Sequence, residues 1–422
     1  MRRAGILCHL TSLPRGTLGE DAAKFCMMIR ARGCRVWQML PITAPDEHLS
    51  PYASNSTFAI NLDLANPDIR YSLDYEQLDK WVKRNRHWLE DWALYEALKE
   101  GFGGKPWTEW PSKICERDPV ALKEIKQDLE HDMSAWMRNQ FIVETDWGDL
   151  RRQANDCRVE LFGDLPFFLA HDSADVWANQ HLFLLEESGA PAVVAGVPPD
   201  YFSEEGQRWG TVLYDWEAHR AEGFRWWKAR MKRMFELFDM VRIDHFRAID
   251  SAWEIPAHHP TAEHGKWVEG PGDELLEAIL AASPDGGLVA EDLGIIPDSV
   301  AELRKKHGIP GMAVLQFAND DSDNPHNPEN HTEDMVVYTG THDNDTTVGW
   351  GKKPVKDMIT TALQSPAELA IIPLQDLMGL ESKARMNTPG TQEGNWEWRF
   401  DWDELNDDRM KWFGEAVKLS GR

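Results

Sequence analysis

No segment of this chain stays apolar for the roughly 18 residues that a membrane span requires, so no transmembrane helix is expected. Positive charge is scarce as well. Lys and Arg number 45 against 71 Asp and Glu, a formal charge of −26, which repels a phosphate backbone and argues against nucleic acid as a partner. The five cysteines (Cys8, Cys26, Cys34, Cys115, Cys157) are odd in number and include no Cys-x-x-Cys pair. Neither a disulfide framework nor a zinc site is therefore expected, and reduced thiols in a cytoplasm are the simpler reading. No cofactor fingerprint occurs, so no cofactor is expected. The charged start and short apolar run of Met1 to Leu10 could pass for a secretion signal. His9 interrupts that run and no small-residue cleavage site comes after it, so it is read as a strand instead.

What the chain does have is eight short apolar runs, most of them separated by helix-length amphipathic stretches: Gly5 to His9, Val36 to Leu40, Val159 to Asp164, Met240 to Asp244, Leu288 to Glu291, Ala313 to Phe317, Val336 to Asp343 and Leu369 to Gln375. Continuous apolar strands alternating with helices predict an α/β protein, a (β/α)8 TIM barrel whose active site lies at the carboxyl ends of the strands. The 422 residues exceed the roughly 250 of a bare barrel, so inserted subdomains are expected. One occupies 41–158, between strands two and three, with helical spacing over 75–98 and 120–141. A second long connection covers 165–239 and contains the breaker-rich segment Gly196 to Gly210, read as a loop.

Three runs in the second half of the chain end in acids: Asp244, Glu291 and Asp343. A strand buried on both faces has no reason to end in carboxylates unless it opens onto a site. Three acids at the mouth of one barrel suggest acid/base chemistry on a neutral polar substrate, as in retaining glycoside chemistry, which uses a carboxylate nucleophile and a carboxylic acid of raised pKa. Arg242 shares a strand face with Asp244 and can keep it ionised. The apolar run before Glu291 favours its protonated form. His342 beside Asp343 suits a grip on sugar hydroxyls. Taken singly, Arg242 with Asp244 could be a structural ion pair, and Glu291 with Asp292 could cap the next helix.

Tryptophan is abundant, with 20 residues, and its ring faces stack on sugars. The helical spacing of Trp81, Trp88 and Trp92 assigns those to the core. Trp209, beside Gln207 and near Tyr201 in the breaker-rich segment, is read as a substrate contact, as is Tyr201.

With these residues in view the chain resembles the amylomaltase family of 4-α-glucanotransferases, related to the α-amylase clan. The resemblance is carried in order by Trp37-Gln-Met-Leu-Pro41, Ser50-Pro-Tyr-Ala-Ser54, Gly163-Asp-Leu-Pro166, Asp172-Ser-Ala-Asp-Val-Trp177, Gly196-Val-Pro-Pro-Asp-Tyr-Phe202, Arg242-Ile-Asp-His-Phe-Arg247, Ala290-Glu-Asp-Leu-Gly294, Gly340-Thr-His-Asp-Asn-Asp-Thr346 and Arg385-Met-Asn-Thr-Pro-Gly390. It implies Asp244 as nucleophile, Glu291 as general acid/base and Asp343 as the third acid. It implies substrate contacts for Tyr52, Asp164, Tyr201, Gln207, Trp209, Arg242, His245, His342, Asn387 and Pro389. The implied partners are α-1,4-glucan donors and acceptors, that is, maltooligosaccharides and glucose. Departures fall at Ala248, at Thr211-Val212 and in the first barrel loop, Ser12 to Gly19, away from the three acids. An α-glucan hydrolase would use the same acids, and a metal-dependent sugar isomerase could use His342, Asp343, Asp244 and Glu291 as ligands.

Overall fold

The computed structural model describes residues 2–68, 74–199, 204–283, 287–294 and 296–422. Among the described residues, twelve strands fall into two sheets. In chain order they are β1 (Arg3–Leu7), β2 (Val36–Gln38), β3 (Glu160–Leu165), β4 (Val193–Val197), β5 (Gln207–Val212), β6 (Met240–Ile243), β7 (Ser251–Pro256), β8 (Lys266–Glu269), β9 (Leu288–Ala290), β10 (Gly311–Val314), β11 (Met335–Tyr338) and β12 (Leu369–Pro373).

Eight of them form one parallel sheet in the order β10-β11-β12-β1-β2-β3-β6-β9. These are the eight runs expected from the sequence. The two ends meet where Ala290 N–H donates to Pro310 O at 2.8 Å and Met312 N–H donates to the Asp292 carboxylate at 2.7 Å. Asp292, also held by Arg304 at 3.0 Å, therefore closes the barrel rather than capping a helix.

Strand alternation sets which side chains face inward. Met240, Phe162, Val289, Val36, Val336 and Leu369 belong to one buried cluster filling the barrel, whereas Val241, Leu161 and Ala290 belong to the larger core under the helices. Two residues on from the inward members come Arg242, Asp164 and Glu291, on the same inward face. Gly163, on the outward face beside Asp164, admits Phe238: a Cβ there would lie 2.3 Å from the Phe238 ring.

The connection between β2 and β3 is mainly helical. The helix Tyr75–Gly101, capped by Asp74, and the helix Glu130–Cys157 pack against each other. Trp81, Trp88 and Trp92 are buried in this part of the core, as their spacing indicated. The helix Glu130–Cys157 also packs on the first barrel helix, Glu20–Ala31. Arg158, at φ 56°, then turns the chain into β3.

The segment from Gly196 to Gly210 is not simply a loop. It contains most of β5 and the end of β4, two strands of a four-stranded antiparallel sheet, β5-β4-β7-β8. Its glycines suggest a loop because Gly206 and Gly210 take left-handed φ values of 68° and 75°, yet they lie among paired residues. The partners that make β5 a strand are on β4, at Gly196 and Val194. Among the described residues no helix is long and apolar enough to cross a membrane.

Candidate active site

At the carboxyl ends of β3, β6 and β9 the inward acids meet one arginine. Arg242 reaches both oxygens of Asp164 (2.9 and 2.7 Å) and one oxygen of Asp244 (2.8 Å). Tyr52 donates its hydroxyl to Asp164 at 2.6 Å and accepts from Arg242 at 3.1 Å. The Asp164 side chain is fully enclosed, so it holds Arg242 and Tyr52 in place and offers no face to a ligand. Asp244 differs, with 30% of its side chain open. The expected pairing of Arg242 with Asp244 is present, but the arginine is shared.

Burial raises the Asp244 carboxyl to about 6, with Arg242 opposing that rise. Burial and the nearby Asp244 together push Glu291 higher, to about 8. Near neutrality Asp244 is thus ionised and Glu291 protonated, the division of labour that acid/nucleophile chemistry needs. Backbone donors orient Glu291: His245 N–H lies 2.7 Å from one oxygen and Leu293 N–H 3.0 Å from the other. The first of these depends on a left-handed residue, since His245 has φ 49°. This places a non-glycine residue in a sparsely populated region immediately after Asp244.

Asp343 lies beyond the end of β11. Burial alone would raise its carboxyl, yet His342, Asn387 and Arg242 hold it down to about 2. His342 Nε2 is 3.2 Å from one oxygen, and Asn387 donates to the other at 2.6 Å. Asn387 is itself tied by its N–H to His342 O at 3.0 Å. Pro389, two residues further on, is exposed.

Two contributors escape a reading of the sequence. Arg385 donates to the backbone oxygens of Asp343 and Asn387, each at 2.6 Å, and so ties the β11 end to the loop opposite. Trp396 stands beside Tyr52 and His342, its centroid 5.8 and 5.9 Å from theirs, while Tyr52 and His342 stack at 5.3 Å. Arg385 opens the family-like motif Arg385 to Gly390, the one signal that could have found it. Trp396 has no local pattern to mark it.

On the other side of the acids stands the antiparallel sheet. Trp209, on β5, is 38% exposed and meets the His245 ring edge to face at 4.8 Å. Gln207 accepts from the Trp209 indole at 3.2 Å. His245 Nε2 is buried and has no hydrogen-bond partner among the described residues. Burial and Arg247 push this imidazole down to about 4, so it is neutral. Tyr201 lies outside the described residues. Thr211 and Val212 sit within β5, where Val212 N–H reaches Leu169 O at 3.0 Å. Ala248 is fully buried in the turn Phe246–Ile249 that follows β6.

A sequence profile of a family described as 4-alpha-glucanotransferase matches residues 8–77, 69–357 and 351–406. The chain is 40% identical to a 4-alpha-glucanotransferase of Synechocystis, with 100% of this chain and 98% of that protein covered. It is 38% identical to one of Thermus thermophilus, with 99% of each covered. Its structure matches that of an amylomaltase from Streptococcus agalactiae in complex with acarbose, with a TM-score of 0.95, 29% identity and both chains covered completely. The fold alone extends further, to an α-amylase from Lactobacillus plantarum, with a TM-score of 0.54 at 12% identity over all of this chain and 80% of that one.

Proposed function

This chain belongs to the 4-alpha-glucanotransferase family, and from that premise we propose how its site residues divide the transfer of α-1,4-glucan segments. In the first half-reaction Asp244 attacks the anomeric carbon, while protonated Glu291 gives its proton to the glycosidic oxygen. The C–O bond to the departing glucan breaks, and a glycosyl ester of Asp244 remains. In the second half-reaction the 4-hydroxyl of an acceptor sugar attacks that carbon, Glu291 takes the hydroxyl proton, and the ester bond to Asp244 breaks.

The observation that carries this reading is the electrostatic pairing of the two acids. Part of the rise at Glu291 comes from the charge of Asp244. Esterification removes that charge, so the pKa of Glu291 falls when its task changes from acid to base. Asp343, held ionised by His342 and Asn387, grips hydroxyls of the sugar under attack. Arg242 steadies the Asp244 carboxylate, and Asp164 acts through Arg242 and Tyr52. Tyr52, backed by the His342 ring, lines the donor side.

Trp209, Gln207 and His245 form the acceptor side, which takes maltooligosaccharides or glucose, and the family motif adds Tyr201 as a further contact. His245 backs the Trp209 indole with its ring. Asn387 and Pro389 belong to the facing loop. A hydrolase would use the same acids, and family membership decides for transfer. Trapping decides the roles: with an activated donor, Glu291→Gln should accumulate a glycosyl-enzyme on Asp244, seen by mass spectrometry of the peptide. A label on any other residue would refute the assignment.

A further inference from the structure

The motif Ser50 to Ser54 brings Tyr52 to the site, but its support comes from elsewhere. Three residues after Tyr52, Asn55 donates its amide to Glu96 at 2.7 Å, and its backbone oxygen accepts from Ala174 N–H at 2.8 Å. Thr57 N–H donates to Asp175 at 2.8 Å. The segment is thus fastened to the helix Tyr75–Gly101 and to the motif Asp172 to Trp177, both outside the set of residues that meet the three acids.

One atom in this fastening is unsatisfied. The Asn55 side-chain oxygen is buried without a donor among the described residues, although a buried acceptor left unpaired is costly. The carboxyl that accepts from the same amide group is that of Glu96. If ionised it can only accept; if protonated it offers the missing hydrogen and closes a two-bond ring, with Asn55 Nδ2 donating to one oxygen and the acid hydroxyl donating back.

We propose that Glu96 is a positioning residue that holds the Tyr52 segment as a protonated carboxylic acid paired with Asn55. This rests on the reading of Tyr52 as a donor-side contact. Burial pushes the Glu96 carboxyl up to about 7, against hydrogen bonds from Asn55 and the Trp92 indole that favour its ionised form. The charges facing it are Lys99, which favours ionisation, and Asp172, which opposes it; these two are paired with each other. Asp175, on the neighbouring short helix Ala174–Ala178, is the next carboxyl and is taken up by Thr57. Tyr95, on the same helix as Glu96, donates its hydroxyl to Asp172 at 2.7 Å. A carboxyl that is protonated in the latched state loses that state as pH rises through its folded pKa. The latch is therefore complete at mildly acidic pH and loosens above about 7.

Maltotriose affinity, measured by calorimetry in a Glu291→Gln background, removes turnover and the acid/base titration. From about pH 6.5 to about pH 8.5, a span that brackets a carboxyl raised to such a value, affinity should weaken several-fold. Adding Glu96→Gln, whose amide can donate and accept like the protonated acid, should leave affinity tight and flat across that range. Adding Asn55→Ala should leave it weak and flat, which covers the case of a Glu96 variant that fails to fold. An infrared carbonyl band of a protonated carboxyl, lost in Glu96→Gln and titrating near pH 7, reads the acid directly. Absence of that band, or a pH profile unchanged by either substitution, overturns the inference. Tyr52→Ala measured alongside separates the two readings: if it leaves affinity unchanged, the role of Tyr52 fails, whereas the infrared band still reports on the latch.

Discussion

The proposed donor and acceptor sides of this site are built by different means. On the donor side, Asp164, Arg242 and Asp244 project from neighbouring parallel strands of a closed barrel. Their charges are interlocked at 2.7–2.9 Å, with Tyr52, His342 and Trp396 ringed about them. On the acceptor side, Trp209 stands more than a third exposed on β5, an outer strand of the four-stranded sheet, steadied by the His245 edge and Gln207. The chemical step needs groups placed to a fraction of an ångström. A surface that accepts glucans of differing length needs a broad apolar platform instead. Precision is therefore concentrated where barrel geometry supplies it without loops.

The largest break in that comparison should come from Asp244→Asn. No transfer remains, because the amide cannot attack and no neighbouring acid replaces it. Substantial residual disproportionation of maltotriose would mean the nucleophile lies elsewhere. Glu291→Gln should reduce turnover of maltooligosaccharides by about 10²–10⁴-fold, while a donor with a good leaving group still forms the intermediate. A parallel loss with both donors would remove Glu291 from the proton transfer.

Arg242→Met tests whether the donor side is a single electrostatic unit. It strands Asp164 in an enclosed site, so thermal or denaturant unfolding should show a loss of about 3–5 kcal/mol, the scale for breaking a buried pair. A loss confined to activity would show that Asp164 is not dependent on its partner.

The dependence of kcat/KM on pH should be bell-shaped. Asp244 must be ionised, so rates fall as pH drops through about 6. Glu291 must be protonated, so they fall as pH rises through about 8. The two limbs belong to the coupled pair, and Glu291→Gln should reduce the alkaline one to the several-fold fall that Glu96 contributes through binding. Persistence of the alkaline limb at full size would assign it to another group.

The smallest effect belongs to the acceptor side. After the first half-reaction, water competes with the acceptor for the ester, and oriented binding lets the sugar win. Trp209→Ala should leave cleavage of maltotriose in place and shift the ratio of transfer to hydrolysis a few-fold toward hydrolysis, seen as a rise in reducing ends. An unchanged ratio would return Trp209 to a packing role against His245.

Much of the barrel could be read from the chain because its signal is local. All eight parallel strands are short apolar runs, buried on both faces, and each run declares itself without reference to its partners. The inward position of Asp244, Asp164 and Glu291 follows from alternation alone, counted from Met240, Phe162 and Val289. The antiparallel sheet could not be read in this way. β8 is Lys-Trp-Val-Glu, with three of its four residues exposed, and β5 is interrupted by glycine. These become strands only through cross-strand pairs such as Trp253 with Trp267.

What the sequence by itself determined is the barrel, the family and the candidate acids at its strand ends, since alternation and motif are properties of neighbouring residues. Only the tertiary structure decided that Asp164 spends itself on Arg242 and Tyr52, that Arg385 and Trp396 join the site from the C-terminal part, and that Asn55 meets Glu96. Those contacts reach across the chain, 41 positions from Asn55 to Glu96 and 190 from Tyr52 to Arg242, and the carboxyl environments they create depend on burial. Burial is a property of the whole packed chain, so no local pattern announces it.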